Sequence, residues 1–288
     1  MAVAGRGCTE DPQRGTAPET LTYPIRSLRL PHRYCADEAV VGAEFYLMEC
    51  VPGRVISDGG ASLAPAERAS LWDSINSAIS SLHSADHLAI GLGDYGKTTG
   101  SYATRQIRTW SRNFEAADGV VQSVEQRPQL TEDMRALGQQ LLGGGDSDGI
   151  GSGGRRGLSL LDPEPTCVIH GDIGLHNMLI HPTEPRVSAL IDWEISTLGH
   201  PLVDLDYAAS ALPGGWRNEH VSTGAKVEAL DGLPTCWQFM TAYHRRRGLP
   251  MVTEAAADVA ALVNMYRTSA IVHGVYAWRE RVVRDGQQ

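Results

Sequence analysis

Leu71, Ile75, Ile79 and Leu82 follow one another at steps of three to four residues, a spacing that puts all four on one face of a helix. Pro65 stands at its start, where a fixed φ and a missing N–H suit the first turn. The same pattern predicts a helix around 101–117, with Ile107, Trp110 and Phe114 on one side. Another is expected from Thr131, an N-cap followed by Glu132 and Asp133, turning Met134, Leu137 and Leu141 inward. Helices over 202–211, 235–247 and 253–282 complete the set. The last carries Val259, Leu262, Val263, Tyr266, Ile271 and Val275.

Strand-like runs are short. Ala43–Val51 reads as a buried strand closed by Pro52 and Gly53. Cys167–Ile169, Met178–Ile180 and Val187–Asp192 read as three more. Residues 1–24 have no period and are expected to be a disordered tail, and 143–154 (GGGDSDGIGSGG) a flexible surface loop. Few strands among many helices imply an α+β chain, mostly helical, with a small β-element holding the chemistry.

The chain has 288 residues, room enough for a large core without disulfide or metal staples. Its net charge of −9 gives no basic excess to displace phosphate counterions, so no nucleic-acid partner is expected. No apolar run approaches the length that crosses a bilayer, so no membrane partner is expected either. Five widely spaced cysteines without a CxxC pair favour a reduced, intracellular compartment. Cytoplasm is the first choice, with mitochondrion and peroxisome left open. Four tryptophans, Trp110, Trp193, Trp237 and Trp278, read as core or pocket-wall residues, and Arg245–Arg247 as a solvated helix end.

The chemistry concentrates in Val168-Ile-His-Gly-Asp-Ile-Gly-Leu-His-Asn-Met-Leu-Ile180 and Ala189-Leu-Ile-Asp-Trp-Glu194. Asp172 and Asn177 sit in a turn between two short strands, and Asp192 is read at the end of the next. Together they offer two carboxylates and an amide oxygen, hard ligands that suit Mg²⁺. Phosphoryl transfer needs such a set: a cation against the phosphate charge and a carboxylate to take the attacking hydroxyl's proton. A zinc cluster from Cys167, His170, His176 and His181 is rejected, because its spacing matches no zinc pattern.

His170-Gly-Asp172, Asn177 and Ile191-Asp-Trp193 together resemble the catalytic signature of aminoglycoside phosphotransferases and choline-kinase relatives. The resemblance implies a protein-kinase-like fold with ATP and Mg²⁺ as cofactors and a small-molecule substrate beside the nucleotide. It makes Asp172 the catalytic base and Asn177 and Asp192 the metal ligands. It also makes His170 and Asp204 structural supports. Phe45–Gly53 is similar to the family's hinge strand, whose backbone at Glu49, Cys50 and Val51 would meet the adenine. Cys35–Gly42, Gly91–Lys97, Arg105–Ile107, His181–Arg186 and Trp193–Pro201 narrow the resemblance to the kinase-like domain associated with acyl-CoA dehydrogenases. That group implies a hydroxy acid or hydroxyacyl-CoA as phosphate acceptor.

The family's first lobe also has a Gly-rich strand turn and a strand lysine. Lys97 and Lys226 are the lysines of this chain, and neither precedes the hinge. Four strands, a helix and their connections need roughly 50–60 residues, whereas 47 precede Met48. Residues 25–52 are therefore expected to be an incomplete N-terminal lobe remnant with its hinge, and 53–288 the helical catalytic lobe. The motifs GLGDYG at 91–96 and GIGSGG at 149–154 spell GxGxxG without a preceding strand and are read as loops. A small-molecule kinase is the leading function. A catalytically inactive kinase-like binding module and, last, a metal-dependent hydrolase are the alternatives.

Overall fold

Pro65 does open the first long helix of the computed structural model, which describes residues 33–47, 50–97, 101–121, 128–143, 157–161, 166–220 and 229–285. Helix α1 spans Pro65–His83, and its four predicted apolar positions are at most 1% exposed. Helix α2 (Tyr102–Val121) buries Ile107 and Phe114, with Trp110 half-buried. Helix α3 runs Pro128–Leu142 and starts earlier than its predicted cap. Thr131 lies inside it, and its hydroxyl donates to Asp118 Oδ1 at 2.7 Å instead of capping the helix. Proline at the first turn outcompetes the threonine signal.

Among the described residues, six short strands form three antiparallel pairs. β1 (Arg33–Cys35) pairs with β2 (Phe45–Leu47), β3 (Cys167–Ile169) with β6 (Thr197–Gly199), and β4 (Met178–Ile180) with β5 (Val187–Leu190). The strand predicted over Ala43–Val51 is thus shorter and less buried than expected, with Leu47 56% exposed. Met48 and Glu49 fall outside the described residues, as does most of the glycine-rich run. Beyond β2, Arg54 and Ile180 exchange both backbone hydrogen bonds, 2.9 and 2.8 Å, which sets Arg54 against the edge of β4. GLGDYG at 91–96 is a run of turns. A Cβ on Gly96 would lie 2.9 Å from Leu198 N, so this loop packs hard on β6.

After β6, helix α4 (Pro201–Ala209) has His200 as its cap, Nδ1 accepting from Leu202 N–H at 3.1 Å. A short helix, α5 (Trp216–His220), was not anticipated. Helix α6 (Cys236–Arg247) starts with a Thr235–Gln238 capping box and ends on Gly248 at φ 63°. Its basic end is not simply solvated: Arg246 bonds Asn76 Oδ1 and Asp73 Oδ1, each at 2.6 Å, and Arg247 donates to Tyr243 Oη, also at 2.6 Å.

Helix α7 (Glu254–Asp285) buries Val263, Asn264, Tyr266, Arg267 and Ala270. Ile271 and Val275, expected inside, are exposed, as are Trp237 at 42% and Trp278 at 66%. The α7 face that packs passes through Asn264 and Arg267, so the polar positions decide which side turns inward. Asn264 Nδ2 donates to Val203 O and Asp206 Oδ2, both at 2.8 Å, which fastens α7 to α4. No described helix is long and apolar enough to cross a membrane.

Candidate active site

The turn between β3 and β4 is built around one buried carboxylate. Asp204, on the first turn of α4 and 1% exposed, accepts from His170 N–H at 2.7 Å and from Gly171 N–H at 2.8 Å. Burial would raise its pKa, but His83 and the backbone N–H groups hold the carboxyl below its ordinary range. Gly171 adopts φ 86°, and a Cβ there would meet Ile195 O at 2.7 Å. Only glycine fits both conditions. His170 is fully buried. Its Nδ1 faces Asp172 N–H at 3.3 Å, so Nδ1 accepts and Nε2 carries the hydrogen to Ile191 O at 2.9 Å. Trp193 packs on its ring at 4.6 Å between centroids.

Asp172 thereby projects from a turn fixed at both flanks. Asn177 Nδ2 donates to Asp172 O at 2.9 Å and to Asp172 Oδ2 at 3.0 Å, and His176 Nε2 lies 3.1 Å from the same oxygen. Partial burial would raise the pKa of Asp172. Hydrogen bonds from His176 and Tyr207, with the charges of His176 and Arg267, win and hold it well below the usual carboxylate range. The group is ionised at neutral pH, as a proton acceptor for a hydroxyl must be.

Asn177 closes a single 3-10 turn, Leu175–Asn177, immediately before β4. With its Nδ2 engaged by Asp172, its Oδ1 is the side-chain atom left to accept. Ile191 N–H donates to Asn177 O at 3.0 Å, so the residues just after β5 lie against Asn177. Asp192 was read as the end of a strand, but β5 stops at Leu190. Asp192 sits two residues beyond, exposed, at φ 67°. Among the described residues no other non-glycine has positive φ, a conformation that costs energy and is held by its surroundings. β3 and β4 do not pair with each other, as adjacent strands would. Each instead pairs with a later strand, and the His170–Ile191 and Asn177–Ile191 bonds stitch the two hairpins together.

Of the hinge residues, Glu49 lies outside the described residues, Cys50 is exposed and Val51 half-buried. Among the described residues, no three His, Cys, Asp or Glu side chains cluster to hold a metal. Asp172, Asn177 and Asp192 carry two carboxylates and an amide oxygen, hard oxygen groups of the chemical kind that magnesium takes.

Three side chains at the turn escaped the sequence reading. Tyr207, on α4, helps to hold the Asp172 carboxyl below its usual range. Arg267, on α7 and 4% exposed, donates from Nη1 to Gly171 O and lies 4.5 Å over the Tyr207 ring. His83, at the end of α1, reaches Asp204. Arg267 did leave a trace: it occupies an apolar-face position, flanked at i−4 and i+3 by Val263 and Ala270.

A helical lobe carrying short antiparallel hairpins, with a carboxylate turn braced from a neighbouring helix, is the architecture of the kinase-like phosphotransferases. A family model described as phosphotransferase enzyme family matches residues 28–249, and the chain belongs to that family. It is similar to the crystal structure of a candidate aminoglycoside phosphotransferase from Ralstonia eutropha: 32% identity, TM-score 0.66, 90% of this chain and 70% of that one covered. It is 33% identical over 249 residues to acyl-CoA dehydrogenase family member 11 of Rattus norvegicus, covering 86% of this chain. The namesake of Gallus gallus is 32% identical over 250 residues, again 86% of this chain. The chain spans only 29% of the length of these two relatives.

Proposed function

We propose that this chain is an ATP-dependent kinase of a small hydroxylated metabolite, a hydroxy acid or hydroxyacyl-CoA. The observation that carries the reading is Asp172: a carboxylate kept ionised, on a turn immobilised by Asp204, beside Asn177 and the residues just after β5. In this reading Asp172 orients the acceptor hydroxyl and takes its proton as the new O–P bond forms. The bond between the γ-phosphorus and the bridging oxygen breaks, and ADP departs with that electron pair. A positioned base of this kind contributes roughly 10²–10⁴-fold. Asn177 Oδ1 and Asp192 are the residues to hold Mg²⁺, which when bound would offset the phosphate charge. The backbone at 49–51 is the segment proposed to meet the adenine, on its resemblance to the family's hinge strand.

The test is a melt with and without Mg²⁺-ATP. The nucleotide should raise the melting temperature of the wild type, and Asp192→Ala should abolish the rise. Asp172→Asn should keep nucleotide binding and lose ADP formation. No shift at millimolar nucleotide overturns the kinase reading and leaves a kinase-like module that binds a metabolite without chemistry.

A further inference from the structure

GLGDYG at 91–96 has no task in the kinase reading, yet it packs against the chain that follows Asp192. Its own turns fix its shape. Leu92 N–H donates to His87 O at 2.7 Å and Tyr95 N–H to Leu92 O at 3.2 Å, while Ile90 and Leu92 seat on the hydrophobic core. Tyr95 Oη then meets Ser196 Oγ. Gly96 approaches β6 so closely that a Cβ would stand 2.5 Å from Thr197 Oγ1 and 2.9 Å from Leu198 N, a place that only a residue without a side chain can take.

The direction of the Tyr95 contact follows from its last acceptor. The Ser196 hydroxyl donates to Trp193 O, and a carbonyl can only accept. A hydroxyl has one hydrogen to give, so Tyr95 is the donor to Ser196. Trp193 O also accepts from Ser196 N–H at 3.0 Å, which closes the turn over 193–196. Before Asp192 the chain is held by Ile191, whose carbonyl accepts from His170 Nε2 and whose N–H donates to Asn177 O. Asp192 stands between these two anchorages, exposed, at φ 67°. A non-glycine residue keeps such a conformation only where its surroundings hold it. One exposed hydrogen bond and one residue of left-handed backbone are of the same order in free energy, so the Tyr95 hydroxyl weighs on the outcome.

We infer that Tyr95 is a positioning residue for Asp192: its hydroxyl, through Ser196 and Trp193 O, holds the backbone conformation in which that carboxylate is presented. The inference rests on the kinase reading for the part Asp192 plays toward magnesium, and on the hydrogen bonds for the clamp itself. It gives the loop between α1 and α2 a share in the site although the loop supplies neither base nor metal ligand.

The experiment uses the full chain with Tyr95→Phe, Ser196→Ala and the double variant. Hydrogen–deuterium exchange at the amides of residues 193–197, without nucleotide, reads the clamp, and the amides of α4 and α6 serve as the control. Tyr95→Phe should speed exchange at the turn about threefold to tenfold, the size of one exposed hydrogen bond, and leave the control unchanged. Added to Ser196→Ala, it should change nothing further, since both remove the same contact. A magnesium titration at fixed ATP, followed as the nucleotide-dependent melting shift, reads the consequence. The magnesium concentration giving half the shift should rise about threefold to tenfold in Tyr95→Phe, with the full shift recovered at saturating magnesium.

Unchanged exchange at the turn in Tyr95→Phe, or exchange that quickens evenly along the chain, overturns the inference. So does a looser turn with an unmoved magnesium requirement, which would leave Tyr95 a structural contact only. Either result alongside a nucleotide shift in the wild type leaves the kinase reading standing. A wild type that shows no nucleotide shift sinks the kinase reading and, with it, the role given to Asp192.

Discussion

His83 Nε2 lies 3.3 Å from Asp204 Oδ2, both side chains sealed from solvent, and this pair ends a hydrogen-bond chain that has one direction. Arg247 can only donate, so it gives its hydrogen to Tyr243 Oη. Tyr243 then donates to His83 Nδ1 at 2.8 Å, and His83 passes Nε2–H to Asp204. The C-terminal end of α6 and the end of α1 thus meet in the carboxylate that holds the catalytic turn.

Asp204→Ala should strand two backbone N–H groups and the His83 N–H, costing roughly 3–5 kcal/mol in urea unfolding. Tyr243→Phe removes two hydrogen bonds, one of them from the charged Arg247, and should cost about 1–3 kcal/mol. A double variant of Tyr243→Phe with His83→Gln should cost less than the sum of the singles, since both break the same chain. Additive costs would show that the chain does not act as a unit.

Gly171→Ala combines a disfavoured backbone conformation with a close approach to Ile195 O. A loss of about 1–3 kcal/mol is expected, with kinase activity lost before the fold. An alanine variant as stable and as active as the wild type would mean that the turn does not need its observed geometry.

Asp172 should titrate below an ordinary aspartate. Tyr207→Phe and His176→Ala should each move its titration upward, read from the side-chain carboxyl carbon by NMR. Because its pKa is depressed on folding, whatever it adds to stability is present above the unfolded value, about 3.9, and fades as pH falls below that. An unmoved titration in both variants would deny these two residues their part in keeping the base ionised.

Two buried groups should oppose each other in mild acid. Burial pushes Asp206 up to about 6, so its contribution is present at low pH and lost as pH rises from about 4 through 6. Burial, with the nearby His83 and His244, pushes His200 down to about 4, so its contribution is present above 6.5 and lost as pH falls towards 4. Each is on the order of 3 kcal/mol over its window, and the two slopes nearly cancel. Asp206→Asn can present an oxygen to Trp216 and Asn264, and should unmask stability that rises with pH. His200→Asn keeps a helix cap and should unmask the reverse. Urea midpoints from pH 4 to 7 read both.

The polar turn between β3 and β4 was legible because its residues interrupt apolar strands at close range: Asp172, Asn177 and Asp192 fall within 21 positions of each other. Helix α1 was legible from its apolar period and the proline at its start. Thr131 misled because cap preference is local, whereas Pro128 and the Asp118 partner decide the start of α3. Ile271 and Val275 misled because hydrophobicity alone cannot say which stripe of a long helix packs once Asn264 and Arg267 have partners inside. Tyr207 carries no signal in sequence, since its meaning lies in a ring set under Arg267 of another helix.

Arg267 falls eighteen positions after the family match ends at residue 249. A fragment cut to the boundaries of that match would retain every signature residue, yet its Gly171 carbonyl would have lost the guanidinium that seizes it from α7. Such a fragment could pass inspection by motif and still present a slack, misaimed base. The distal helix therefore helps to hold the turn that carries Asp172, whatever its share of the recognisable pattern.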